Sequence, residues 1–178
     1  NLNLSRMLCE RISETNKREL LNKSIFQRRV DILFNGFVVP KNSINGKNIK
    51  TLGFVGRFHA IKGLDFLVST FVKCNLSEMG YDLLIKGDGP IDEEIFGLIS
   101  SCNKIKLIKP TFQLEYIYKD IGIMIVPCRD INNSGEGLPN LVMLEAMSLG
   151  IPVIASRVKG INKNLVDGYN LLFFEPDN

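Results

Sequence analysis

Ile121-Gly122-Ile123-Met124-Ile125-Val126 is apolar at every position but Gly122. A short apolar run that does not alternate with polar residues is the pattern of a strand covered on both faces. The elements on either side follow the same rhythm. Downstream, Asn140–Leu149 reads as a helix stopped by Gly150 and Pro152, and Val153-Ile154-Ala155 as the next strand. Val158–Leu165 reads as a turn or short helix, and Leu171–Phe174 as a last strand. Upstream, strands are expected at Thr51–Val55, Tyr81–Ile85 and Ile105–Ile108, and helices at Leu64–Cys74, Ile91–Ser101 and Gln113–Lys119. In the first of these helices Leu64, Leu67, Val68 and Phe71 share a face. Strands alternating with helices predict an α/β fold, a Rossmann-like parallel sheet with helices on both faces. Ligands of such sheets sit at the carboxyl ends of the strands, so the loops after Val55, Ile85, Ile108, Val126 and Ala155 are the candidates.

Residues 1–34 read differently. Ser5–Arg29 has an imperfect helical pattern, Val30–Phe34 is a short extended run, and Asn35-Gly36 is a turn signal. Residues 1–34 are therefore expected to be the end of a preceding domain or a linker, and residues 35–178 the α/β domain, cut before its final helices. A polar stretch, Lys41–Lys50, reads as a loop.

The chain has 178 residues, is 45% hydrophobic and 23% charged, and carries a net charge of +3. That is enough for one domain with its own core. The basic residues are dispersed and interleaved with Glu10, Glu14, Glu19 and Asp31, which argues against nucleic acid. Four cysteines without a C-x-x-C pair, beside the lone His59, make a poor zinc set, and no metal site is expected. Neither a signal peptide nor an apolar span of about 20 residues is visible, so a cytoplasmic location is expected.

Three loops have chemistry to offer. Gly56-Arg57-Phe58-His59-Ala60-Ile61-Lys62-Gly63 joins a glycine exit, two cations and the start of a helix. Exposed N–H groups with Arg57 and Lys62 would suit a diphosphate; two surface cations are the plain alternative. His59 is open to either a ligand contact or an exposed loop. The stretch is not a G-x-x-x-x-G-K-[ST] loop. Gly87-Asp88-Gly89-Pro90 reads as a tight turn, since Asp92 stands where a dinucleotide fingerprint needs its third glycine. In the third loop Glu136 lies between Gly135 and Gly137, and Asn140 is placed to cap the following helix. That helix is apolar nearly all round and is expected to be buried, with Glu145 in its middle. A carboxylate among such neighbours needs a partner. It either receives ligand hydroxyls, or is held by a loop cation, or is a satisfied core carboxylate that ties down a loop. A Ser–His–Asp hydrolase would have to use His59, and no G-x-S-x-G elbow is present.

In order, Asn35-Gly36-Phe37, Gly56-Arg57, Lys62-Gly63, Gly87-Asp88-Gly89-Pro90, Pro127, Glu136-Gly137-Leu138-Pro139-Asn140, Leu144-Glu145-Ala146-Met147 and Gly150-Ile151-Pro152-Val153-Ile154-Ala155 make a specific series. From about Asn35 onward the chain resembles the C-terminal domain of the GT-B-fold, retaining glycosyltransferases of family 4, the glycosyl transferases group 1. The resemblance implies that Arg57 and Lys62, beside Gly56, bind the donor diphosphate. It implies that Glu136 meets the donor sugar and Glu145 the ribose, as the paired glutamates of the family's E-x7-E motif. Here eight residues separate the two glutamates, one more than the motif has. The stretch Gly135–Leu141, through Gly137, Leu138, Pro139, Asn140 and Leu141, would supply backbone donors to sugar and phosphate near the helix start. Pro110 and Thr111 would meet the base.

The resemblance further implies a nucleoside-diphosphate sugar, UDP- or GDP-linked, as donor substrate, with no cofactor. The sequence has no Asp-x-Asp motif to hold a divalent ion, so metal independence is expected. The acceptor, a glycan or lipid-linked molecule of lipopolysaccharide or capsule synthesis, would be bound by an N-terminal domain. The full-length parent would work at the inner face of the plasma membrane, while the isolated fragment is expected to be inactive. A GT-B epimerase and a non-catalytic nucleotide-sugar-binding domain are the alternatives.

Overall fold

The computed structural model describes residues 48–109, 114–131, 138–159 and 164–176. The elements expected before residue 48, and the boundary at residue 35, lie outside the described residues. Among those described, six strands form one sheet: β1 (Thr51–Val55), β2 (Asp82–Lys86), β3 (Ile105–Ile108), β4 (Ile123–Val126), β5 (Val153–Ser156) and β6 (Leu172–Phe174). They lie in the order β3-β2-β1-β4-β5-β6, every neighbouring pair parallel. A 3-10 turn (Ala60–Lys62) and helix α1 (Leu64–Lys73) follow β1. Helices α2 (Glu93–Ser101), α3 (Leu114–Tyr118) and α4 (Leu141–Ser148) follow β2, β3 and β4. This is the doubly wound Rossmann-like arrangement expected from the sequence.

Successive strand residues point to opposite faces, and the two cores follow that alternation. Leu52, Phe54, Leu83, Ile85 and Ile125 pack with Leu64, Leu67, Val68 and Phe71 of α1 and with Ile95 and Ile99 of α2. Leu84, Met124, Val126, Val153 and Ala155 pack on the other face with Tyr118 of α3 and with Met143 and Ala146 of α4. The run Ile123–Val126 thus feeds both cores in turn, which is why it carries no polar residue.

The strand order reverses between β1 and β4, which pair through Leu52–Ile123 and Gly53–Met124. There the loops leaving the two strands diverge and open a crevice. Element ends shift slightly from the sequence reading. The second strand continues to Lys86, which forms a ladder pair with Val55 and Ile108. The helix expected from Ile91 begins at Glu93, after Asp92 in extended backbone at its N-cap. The Val158–Leu165 segment lies partly outside the described residues.

Gly63 closes the β1 loop at φ 67°, and a Cβ there would sit 1.9 Å from the Pro127 carbonyl oxygen. Gly97, by contrast, is an exposed residue inside α2 with open space around it. Gly63→Ala should destabilise by about 2–5 kcal/mol, from left-handed backbone strain plus the clash. Gly97→Ala should stabilise by about 0.5–1 kcal/mol through helix propensity. Urea midpoints of the two variants, moving in opposite directions, check both.

Candidate functional site

The β1 loop lies between two others. Gly56 N–H donates to the Lys86 carbonyl (3.0 Å), and Phe58 N–H to the Asp88 carbonyl (2.6 Å), fixing the loop to the end of β2. On the other side Arg129 N–H donates to the Ile61 carbonyl (2.8 Å), tying it to the loop after β4. Gly87 and Gly63 permit these approaches. His59 caps the 3-10 turn, its Nδ1 accepting from Ile61 N–H at 3.3 Å, so its role here is structural. The turn delivers Lys62, half-buried, to the mouth of the crevice. Arg57 is exposed on the same loop and makes no side-chain hydrogen bond or ion pair among the described residues. Helix α1 starts directly after Gly63 with no side-chain cap. Its first-turn Asp65 is paired with Arg129 at 2.6 Å, which offsets that negative charge beside an otherwise positive helix end.

The second wall comes from the start of α4. Asn140 caps it as expected, its Oδ1 accepting from Met143 N–H at 3.0 Å. The loop after β4 is anchored underneath, where the buried Ser156 hydroxyl donates to the Cys128 carbonyl. Between the walls is a shallow depression lined by Phe54 and Val55 of β1, Ile125 and Val126 of β4, and by Lys62, Asn140 and Val142. The structure therefore brings Lys62, Asn140 and the first turn of α4 together at the switch point, where a Rossmann-like sheet places a ligand.

Helix α4 is not buried all round, contrary to the sequence reading. Met143 and Ala146 are, but Leu141 is 43% exposed, because the helix packs by one side on β4 and β5. Leu138 is buried in the core, so any contact it makes with a ligand is through its backbone. Pro139 has no N–H to offer. Glu145 is half-buried and receives the Tyr118 hydroxyl on Oε2 at 2.6 Å. Burial first, then that bond to the carboxylate, raises the Tyr118 phenol far above its ordinary range.

Two residues of this neighbourhood escaped the sequence reading. Tyr118, completely buried, was only the end of a short helix. Lys86 fell just beyond the strand expected at Tyr81–Ile85, yet it is 6% exposed and its Nζ donates to the Tyr116 carbonyl at 3.0 Å. Burial lowers its pKa, against an opposing pull from Asp120. A lysine continuing the period-two pattern of a buried strand was the available signal. Glu136 and Gly137, and Pro110 and Thr111, lie outside the described residues. The described residues hold no cluster of three or more His, Cys, Asp or Glu side chains that would suit a metal, and no helix long and apolar enough to cross a membrane. Cys74 and Cys102 are free thiols, and the buried Cys128 Sγ accepts from Asn140 Nδ2 at 3.8 Å.

The sequence profile described as glycosyl transferases group 1 matches residues 49–178, the whole of the sheet. The chain belongs to that family. It is 28% identical over 157 residues to an uncharacterized glycosyltransferase of Methanocaldococcus jannaschii, covering 85% of this chain and 41% of that protein. It is 27% identical over 175 residues to the capsular polysaccharide biosynthesis glycosyltransferase CapM of Staphylococcus aureus, covering 92% of this chain and 43% of that one. The chain thus spans less than half the length of these curated relatives. Among solved structures it superposes on the pneumococcal O-GlcNAc transferase GtfA, solved with UDP and GlcNAc, with a TM-score of 0.71 at 19% identity, over 92% of this chain and 33% of that one. The six-stranded parallel sheet with its helices is accordingly the Rossmann-like fold found in these GT-B glycosyltransferase neighbours.

Two predictions concern the site's scaffold. Asn140→Ala removes the cap of α4 and should cost about 1 kcal/mol, read as a lowered urea midpoint. Tyr118 supplies a pH dependence. The unfolded phenol ionises near pH 10, whereas the native one keeps its proton. Above about pH 10 the unfolded state binds fewer protons, so stability falls as pH rises. Tyr118→Phe should flatten that fall by up to about 1.4 kcal/mol per pH unit, measured as urea stability between pH 9 and 11.5.

Proposed function

We propose that this chain is the donor-binding half of a retaining family 4 glycosyltransferase, which moves a sugar from UDP or GDP to a glycan or lipid-linked acceptor. The observation that carries the reading is the meeting of Lys62 and the first turn of α4 at the β1/β4 switch point. A cation and helix N–H groups there suit a diphosphate, with Arg57 as the second cation on the same loop. As the glycosidic bond breaks, negative charge grows on the departing phosphate. Lys62, Arg57 and the helix dipole stabilise that charge without a divalent ion.

The family resemblance fills in the rest of the proposal. Glu145 receives ribose hydroxyls, Glu136 and Gly137 meet the donor sugar, and Pro110 and Thr111 meet the base. The CapM relative favours a capsule- or lipopolysaccharide-type product. GtfA, solved with UDP, favours a uridine donor. The acceptor is bound by the remainder of the parent enzyme at the cytoplasmic membrane face, and this chain alone binds donor without transferring sugar.

Calorimetric titration of the chain with UDP, GDP and ADP in EDTA tests the reading. One nucleotide should bind, and Arg57→Ala and Lys62→Ala should each weaken it about 10- to 150-fold, the worth of a charge-assisted hydrogen bond. Binding indifferent to both substitutions, or no binding of any nucleotide, would sink the proposal.

A further inference from the structure

Helix α3 has five residues, too few to be stable by itself, so its position depends on tertiary contacts. Two of these contacts sit two residues apart. The Tyr116 carbonyl accepts from the Lys86 ammonium at 3.0 Å, and the Tyr118 hydroxyl donates to Glu145 Oε2 at 2.6 Å. The Tyr118 hydroxyl also lies 3.4 Å from the Val142 carbonyl, in the first turn of α4 that rims the depression. Lys86 is buried at the carboxyl end of β2, where an aliphatic residue would fit the pattern of Leu84 and Val55 packed on that face. Burying an ammonium is unfavourable, and it is offset here by an orphan carbonyl at the end of a helix, the end that favours a cation.

We propose that Lys86 is a positioning residue for the Glu145 carboxylate, acting through α3 and Tyr118. Its bond to the Tyr116 carbonyl fixes the helix over the sheet. The fixed helix holds the Tyr118 hydroxyl on one carboxylate oxygen of Glu145. That bond orients the carboxylate and leaves its second oxygen to accept from a ligand's hydroxyl pair. The inference rests on the donor-site reading above, with the ribose as that pair.

The test compares UDP with 2′,3′-dideoxy-UDP, and GDP with its dideoxy analogue, by calorimetry on the whole chain. The unsubstituted chain should prefer the ribonucleotide about 10-fold or more, the worth of hydrogen bonds to a charged group. Lys86→Met and Tyr118→Phe should each cut that preference about fivefold or more, with dideoxy binding unchanged within about twofold. Lys86→Gln, which keeps a donor for the Tyr116 carbonyl, should retain more of the preference than Lys86→Met. The double variant should lose no more than the larger single loss, because both residues act in one chain of contacts. Urea unfolding checks that each variant is folded. Should Lys86→Met fail to fold, Tyr118→Phe and the Gln variant still decide. Equal weakening of both nucleotides, an unchanged preference, or additive losses overturn the proposal. Absence of any ribose preference in the unsubstituted chain instead overturns the ribose reading of Glu145, and the relay with it.

Discussion

The Pro127 carbonyl oxygen lies 1.9 Å from where a Cβ of residue 63 would be, and the Gly56 carbonyl lies 1.8 Å from where one of residue 87 would be. Three loops that leave β1, β2 and β4 are therefore packed backbone to backbone. Hydrogen bonds from Gly56, Phe58 and Arg129 complete the contact. Glycine at two places lets the β1 loop lie in the cleft between its neighbours. In that position the 3-10 turn carries Lys62 to the depression that Asn140 and Val142 also line.

A second constraint is polar. The α3/α4 face of the sheet is mostly apolar, yet it contains Tyr118 and Lys86, with Glu145 at its margin. Each has a partner at hydrogen-bond distance: phenol to carboxylate, ammonium to carbonyl. Buried polar groups of this kind are costly when unpaired and specify one arrangement when paired. The one-turn helix α3 is the element they fix, since its length gives it little stability of its own.

Arg129 illustrates how charge is arranged around the candidate anion site. Asp65 stands in the first turn of α1, where it would compete with a bound anion. Its carboxylate is taken by Arg129, whose guanidinium also lies over the Phe66 ring at 5.8 Å. Lys62 of the β1 loop lines the crevice beside this ion pair, with Arg57 exposed on the same loop. The ion pair is partly exposed and contributes little to stability; what it changes is the local field.

Much of this was legible in the residues themselves. Unbroken apolarity in Ile123–Val126, alternation of strands and helices, and Gly63 after Lys62 determined a parallel sheet, its two covered faces and the loops at its carboxyl ends. Local signals of this kind depend on neighbours a few residues away, and so survive in a linear reading. Asn140 as a cap belongs with them. What tertiary structure decided was which distant groups meet. Glu145 announced that it needed a partner, but nothing in its own helix named Tyr118, 27 residues away. Lys86 lay one residue past the strand expected at Tyr81–Ile85, and nothing nearby pointed to the carbonyl of Tyr116, 30 residues on, that receives its ammonium. The exposure of Leu141 likewise followed from how many sides of α4 the sheet covers, not from its composition. Periodicity reports which face of an element is apolar; the partner of a buried polar group is set by packing across the chain, which no local pattern encodes.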